Sequence, residues 1–598
     1  MKKNSTQYLS LFLCLTISIL CSSAGAAAIP QEDGMLFFIE SPVAIPSDVH
    51  VWTRFWMGER EVAIVSAAPT REGKIPSLGD RYGKIETPGP GEKLFIVSSR
   101  RGIDPSLLDR YSTVLLCDTR IALIRTDQAS ADALAGEGME IRAVRPTVRF
   151  KGLPSPLSSR QTAASQDSLI QQVIDSVNLS DVSGMIGNLS GENSVTIGGS
   201  PYTIQTRNSY RSTPIEKATQ YCYEYFQAQG LNVVYQNFTG SGYNCRNVVA
   251  VQAGTVNPGN IYVICAHLDD MPEASVAPGA DDNASGSTAV LSAASILSRY
   301  TFENTIRYVL FTGEEQGLEG SYYYVQECAG AGDNILGALN FDMISYNGDG
   351  DNRLELHCGT MASSGALGDL LIDTISSYSL SLWPVKYTTG SETASDHASF
   401  WDAGYPALLG IEDDLGGEIN PYYHTVNDKR VHCDPSYATE YVKAAVGTTA
   451  RLAVPISSSP PGPTPTPTPS PSLVFEARPE SLTPGERFTL GLTLQGSILR
   501  AFDFYIVADT PYGVYTVFLD GSFRQGMEPL YRDVHGLGGP LTETIFDGVA
   551  VPGIAPGTYT FYAAAVEAGK VPPVSALAEI TPSTPYIIAF DRTSLSLH

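Results

Sequence analysis

Positive charge is what this sequence lacks most. Lys and Arg number 38 against 63 Asp and Glu, a formal net charge of −25 over 598 residues. Neutralising phosphates requires a surplus of Lys and Arg, so nucleic acid is not an expected partner. Long apolar runs are missing too, apart from residues 9–20 near the start. That run is shorter than the ~20 residues a spanning helix needs, so no membrane span is expected. Lys2 and Lys3 precede it, and Ala24-Gly25-Ala26 and Ala26-Ala27-Ala28 follow as small-residue cleavage sites. Residues 1–28 therefore read as a signal peptide, and the mature protein is expected to be secreted to the extracellular space or the periplasm. Cysteine is sparse, at nine. Cys14 and Cys21 leave with the signal, and the remainder is odd, so at least one thiol stays unpaired. Export permits disulfides, and Cys222 with Cys245 is the expected pair, one in a helical pattern and the other just before a strand.

A chain of this length exceeds one hydrophobic core. Residues 29–153 mix short apolar runs at 35–39, 61–65, 93–97 and 113–116 with turn residues, the pattern of a small N-terminal α+β domain. Of the eight histidines it holds only His50. Its position between the signal and the long segment that follows suggests an accessory, inhibitory or folding-assisting prosegment. Residues 154–168 form a Ser/Pro/Gln-rich connector. From 169 to 455 strand and helix patterns alternate, which predicts an α/β domain with a mixed, mostly parallel sheet sandwiched by helices. Residues 456–472 are a Pro/Thr-rich linker, extended and semi-rigid. Short strand patterns separated by turns fill 473–598 and predict a β-sandwich, which is expected to contact a surface or polymer.

The chemistry lies in where potential ligands fall. Residues 261–266 are an apolar run fit for a buried strand, and His267 follows at once. Residues 306–311 form a second, followed by Thr312, Gly313, Glu314 and Glu315; residues 336–341 form a third, ending at Asp342. Sites in open α/β sheets form beyond the carboxyl ends of the strands, and three strands here deliver a His or carboxylate there. A fourth piece, Pro278-Gly279-Ala280-Asp281-Asp282-Asn283-Ala284-Ser285-Gly286, leads into a helix over 287–300, which Asn283 or Ser285 can cap. The fifth is His424, in a loop ahead of a helix over 436–453. A lone His after a strand is usually just a hydrogen-bonded residue, and adjacent Glu are usually solvated. Together these residues suit a paired-zinc site, in which a bridging Asp holds two ions and each ion keeps a position open. Neighbouring side chains point in different directions, so Glu314 and Glu315 divide the work: Glu314 as general base, Glu315 as ligand.

These motifs, with Cys245-Arg246-Asn247-Val248-Val249, His267-Leu268-Asp269, Gly313-Glu314-Glu315-Gln316-Gly317-Leu318, Asn340-Phe341-Asp342-Met343 and Ser395-Asp396-His397, resemble peptidase family M28 of the bacterial leucyl aminopeptidase type. The resemblance covers roughly 169–455. It implies the zinc exopeptidase fold and two Zn2+, with Asp282 bridging, His267 and Asp342 on one ion, and Glu315 and His424 on the other. It further implies that Glu314 activates the bridging water and that the Asp269 carboxylate orients His267. In the family the peptide bond after the bridging Asp is often cis, here Asp282-Asn283. Some relatives place an oxyanion-assisting tyrosine just before Ser395-Asp396-His397; here the stretch is Gly390 to Ala394, and Tyr387 is the nearest tyrosine. A Ser-His-Asp triad is not expected of these three, since a triad needs spatial rather than sequential adjacency.

The resulting expectation is a secreted two-zinc exopeptidase acting on peptide or protein N-termini. Carboxypeptidase action and N-terminal glutamine cyclisation, the latter with a single zinc, are the enzymatic alternatives. A scaffold without catalysis is the remaining one, although scaffolds of this kind lose ligands and every ligand position here is filled.

Overall fold

The computed structural model describes residues 35–42, 45–46, 48–150, 152, 157, 161, 167–241 and 245–456, and mainly strands from 472 onward. The expected signal peptide, most of the connector 154–168 and the body of the linker 456–472 lie outside the described residues.

The N-terminal segment opens with β1 (Met35–Glu40), β2 (His50–Met57), β3 (Arg60–Ala67) and β4 (Arg81–Ile85). These form an antiparallel sheet in the order β2-β3-β1-β4. There follow β5 (Glu92–Ser98), α1 (Pro105–Tyr111), β6 (Thr113–Cys117), β7 (Ile121–Asp127), α2 (Gln128–Gly136) and β8 (Glu140–Val144). Their strands make a second antiparallel sheet, β6-β7-β5-β8. In β2 burial alternates residue by residue, as a pleated strand with one inward face requires. The two sheets share a cluster that includes Leu36, Phe38, Val62, Leu94, Ile96 and Leu123. The opposite face of the second sheet, with Phe95, Val97 and Ile124, packs on Leu108 of α1 and Leu134 of α2. Asp104 and Asp127 cap these short helices by accepting from Ser106 N and Ser130 N.

The α/β segment begins with α3 (Ser168–Asp175), α4 (Leu179–Leu189), the hairpin β9 (Val195–Ile197) and β10 (Ser200–Tyr202), and α5 (Ser212–Ala228). Strands β11 (Asn232–Asn237), β12 (Arg246–Gln252) and β13 (Asn257–His267) lead to α6 (Ala284–Leu297). Then come β14 (Asn304–Phe311), α7 (Glu319–Ala331), β15 (Asn334–Phe341), β16 (Arg353–His357) and α8 (Ala362–Ser377). The segment closes with β17 (Trp383–Tyr387), α9 (His397–Ala403), β18 (Ala407–Ile411) and α10 (Pro435–Ala453). The eight strands form one mixed sheet, β11-β12-β14-β13-β15-β18-β16-β17, whose middle four run parallel. Covered on both faces, these middle strands are buried almost throughout. Val263, Phe311 and Ala338 pack on Tyr324 of α7 and Phe400 of α9. The other face meets α6, α8 and α10, where the rings of Phe341 and Tyr441 lie edge to face at 6.0 Å. The expected α/β domain is thus present. Its helix α6 starts three residues earlier than the sequence suggests, because Asn283 is the cap and accepts from Gly286 N at 2.7 Å.

The expected Cys222–Cys245 disulfide is not formed. Cys222 is wholly buried on α5, and the Cys245 thiol turns toward the Ser241 carbonyl, so each sulfur has a separate environment. Among the described residues no helix is long and apolar enough to cross a membrane. Residues from 472 onward form a second compact unit with two sheets. One is built from Ser472–Arg478, Arg487–Gln495 and Leu541–Val549; the other centres on Phe502–Thr510, Gly557–Glu567 and Ile587–Leu597.

Candidate metal centre

The parallel arrangement of β13, β14, β15 and β18 brings their carboxyl ends to one edge of the sheet. His267 ends β13, Glu314 and Glu315 follow β14 after a Thr-Gly turn, and Asp342 follows β15. Asp282 sits just before α6, and His424 comes from the loop after β18. A Cβ at Gly286 would collide with the Phe341 carbonyl, so glycine is what lets the start of α6 approach the end of β15 closely.

The structure gathers the seven residues singled out above. Asp282 stands between the two imidazoles: Oδ1 lies 3.3 Å from His267 Nε2, and Oδ2 lies 3.3 Å from His424 Nε2. His267 Nε2 is also 3.1 Å from Asp342 Oδ1, and His424 Nε2 is 2.9 Å from Glu315 Oε2. Glu314 joins His267 and Asp342 in one cluster of potential ligand atoms. All of these side chains are buried. The Asp282-Asn283 peptide is cis.

Asp269 faces His267 with both its backbone and its side chain. Its backbone carbonyl lies 3.2 Å from His267 Nδ1, while its carboxylate is 3.8 Å away. The carboxylate also accepts from Ser209 at 3.1 Å and from the amides of Glu314 and Glu315 at 3.4 Å each, so it holds the turn that carries both glutamates. Residue types alone missed three further supports. The Ser395 hydroxyl donates to Asp342 Oδ2 at 2.8 Å and accepts from Asn340 Nδ2 at 2.8 Å. Asp428 accepts from Asp282 N at 3.0 Å. Arg207, fully buried, donates to the carbonyls of Leu189, Leu268, Pro278 and Gly279 at 2.6–2.8 Å and fixes the loop before Asp282. No triad forms at 395–397, since His397 Nε2 faces the Glu392 carbonyl at 2.9 Å rather than Ser395. Tyr387 stacks on His357 at 5.0 Å and bonds Arg353, in a separate buried network; the tyrosine lining the centre is Tyr423, stacked on His424 at 3.8 Å.

Several carboxylates surround two imidazoles out of water, and such an array demands positive charge. Burial opposes charge on His424, yet Glu315 and Asp282 outweigh it and lift the imidazole to about 10. Burial pushes Glu315 up to about 7 against the pull of His424. Glu314 goes well above the carboxylate range, driven by burial against His267, with Glu315, Asp396 and Asp342 adding. A divalent cation among these atoms would supply the charge directly. The donor set of imidazole nitrogens and carboxylate oxygens suits zinc. Glu315 Oε1 is buried with no hydrogen-bond partner among the described residues, as a ligand oxygen would be. A second cluster, Glu355, His357 and Asp414, is a poorer fit. There the Glu392 amide donates to His357 Nδ1, the amides of Leu415 and Gly416 donate to Glu355, and the Arg100 guanidinium already stands 3.3 Å from Asp414.

Comparison with known proteins gives a concordant result. Residues 247–449 match the family model described as peptidase family M28. A probable leucine aminopeptidase of Arthroderma otae is 34% identical over 206 residues, 32% of this chain and 54% of that protein. One from Trichophyton verrucosum is 27% identical over 290 residues, 46% of this chain and 76% of that protein. The chain thus spans about half the length of most of the curated relatives it matches. The Legionella pneumophila LapA aminopeptidase structure aligns over 62% of this chain and 100% of its own, at 19% identity and a TM-score of 0.47. The Fimbriiglobus ruber glutaminyl cyclase aligns over 46% and 95%, at 16% identity and a TM-score of 0.38.

Proposed function

With residues 247–449 matching the model of peptidase family M28, we propose that the chain is a secreted two-zinc aminopeptidase that removes residues from peptide N-termini. The observation that carries this reading is the Asp282 carboxylate, with one oxygen toward each of two histidines. His267 and Asp342 would hold one ion, His424 and Glu315 the other, with Asp282 shared. Zinc held there supplies Lewis-acid activation of the scissile carbonyl and of the attacking water.

The chain's own residues do the rest. Glu314 takes the proton from the water as its oxygen bonds to the carbonyl carbon, then gives it to the amine as the C–N bond breaks. Asp269 fixes the Glu314–Glu315 turn through both amides, and Ser395 orients Asp342. Mutual orientation of base and ligands is what such chemistry needs.

The test is release of leucine from leucine amide by the purified chain, intact and after limited proteolysis, with and without 1,10-phenanthroline. Chelator-sensitive release supports the reading. Zinc-loaded protein that is inert in both forms, or release indifferent to the chelator, would overturn it.

A further inference from the structure

Between β17 and α9, residues 390–394 form a strap that ends at the metal centre. Its last residue, Ala394, lines the centre, and Ser395 beside it holds Asp342. Two buried histidines pin the strap at Glu392. The Glu392 amide donates to His357 Nδ1 at 2.9 Å, and the Glu392 carbonyl meets His397 Nε2 at 2.9 Å. Backbone held on both sides of one residue fixes where its side chain points. The half-buried Glu392 carboxylate accepts through Oε1 from the amides of Thr393 at 2.6 Å and Ala394 at 3.0 Å, which keeps it against the lining of the centre. Among the described residues Oε2 has no hydrogen-bond donor and the group has no ion pair. Burial pushes His397 down to about 3, so it brings Glu392 a hydrogen bond and no charge. Arg100 is taken by Glu140 at 2.6 Å and Asp414 at 3.3 Å. Burial pushes Glu140 up against the pull of Arg100, and Glu392 adds to the rise. A cation is what this corner of the molecule lacks.

Glu392 lines a cavity of about 230 Å³ next to the centre, and Arg100 stands in the wall of both. Trp56 and Leu415 give this cavity apolar surface, while Asp118 and Arg120 bring one charge of each sign. The α-ammonium of a bound N-terminus sits next to the scissile carbonyl and must lie among the metal ligands. Glu392 stands outside that cluster, within reach only of a charge carried on a longer stem. Lysine and arginine have such stems, apolar along their length and charged at the tip. We propose that Glu392 selects lysine or arginine as the first residue of the substrate, its carboxylate pairing with the side-chain cation while the stem lies along the apolar wall. The inference rests on the reading of the centre as an aminopeptidase site and names the substrate class of that site.

The experiment compares the zinc-loaded full chain with Glu392→Gln and Glu392→Lys, each intact and after limited proteolysis, on lysine amide and norleucine amide. Norleucine keeps the straight four-carbon stem of lysine and lacks the ammonium. The readout is the ratio of kcat/KM for lysine amide over norleucine amide, with binding of both followed by calorimetry. The ratio is expected to be at least about tenfold in the wild type, the size of a charge-assisted hydrogen bond. It should fall to near unity in Glu392→Gln and below unity in Glu392→Lys. A merely structural role would slow both substrates together, so a ratio left unchanged by the two substitutions would overturn the proposal, as would a wild-type ratio near unity. Tighter binding of lysine amide that Glu392→Gln abolishes, with neither amide hydrolysed, would uphold the subsite and reject the aminopeptidase reading. Equal binding without hydrolysis would sink both.

Discussion

Asp282 offers one oxygen to each imidazole, so its loss should be felt by both ions at once. Asp282→Ala is expected to leave little or no zinc by elemental analysis, and a normal zinc content would contradict the bridging role. Glu314→Gln should keep its zinc yet lose about 10²–10⁴-fold in kcat, the range of a general base. Wild-type turnover in that variant would remove Glu314 from the mechanism. Ser395→Ala deletes the 2.8 Å hydrogen bond to Asp342 and should weaken zinc affinity by about 10–100-fold, as loss of a ligand's hydrogen-bonded partner does. Zinc titration against a competing chelator measures it, and an unchanged affinity would leave Ser395 a packing residue. The sequence pointed to the ligands that end strands, because an apolar run followed at once by His, Glu or Asp is a local signal. It did not reveal the support from Ser395, Asp428 or Arg207, whose partners lie far away in sequence; Asp428 meets Asp282 across 146 residues. For Asp269 the sequence did not foretell the nearer carbonyl contact with His267 at 3.2 Å, since which atom of a loop residue comes nearest a histidine is set by backbone path and not by residue type.

At the scale of elements, the loop from Pro278 to Asp282 is held by an arginine rather than by apolar packing. Arg207→Ala would orphan four carbonyls and leave Asp270 buried beside no cation. Breaking such a group by removing one partner costs about 3–5 kcal/mol, and urea unfolding should show a loss of that order. A change under about 1 kcal/mol would mean that water replaces the guanidinium. The α/β pattern was readable because alternating buried strands and helices leave periodic marks. The α6 boundary shifted because both Asn283 and Ser285 can cap a helix, and only the fold decides: Asn283 caps, while Ser285 donates to the Asp281 carbonyl and accepts from Ile344 N. The expected disulfide failed for a related reason, since helical and strand context fix neither the depth nor the direction of a thiol.

Across the whole molecule, the N-terminal domain offered no chemical motif, yet its residues wall the centre. The Ala135 contact with His424 spans 289 positions, and nothing local in either segment announces it. Only the fold shows that the candidate metal site, legible from strand ends, is also a covered one. The claim on which the rest depends is that this buried cluster binds two ions around Asp282. The most direct test is the zinc content of the purified, zinc-equilibrated full chain. Two zinc ions per chain, falling to none or nearly none in Asp282→Ala, is the expected result. A single zinc, or zinc retained without Asp282, would contradict it.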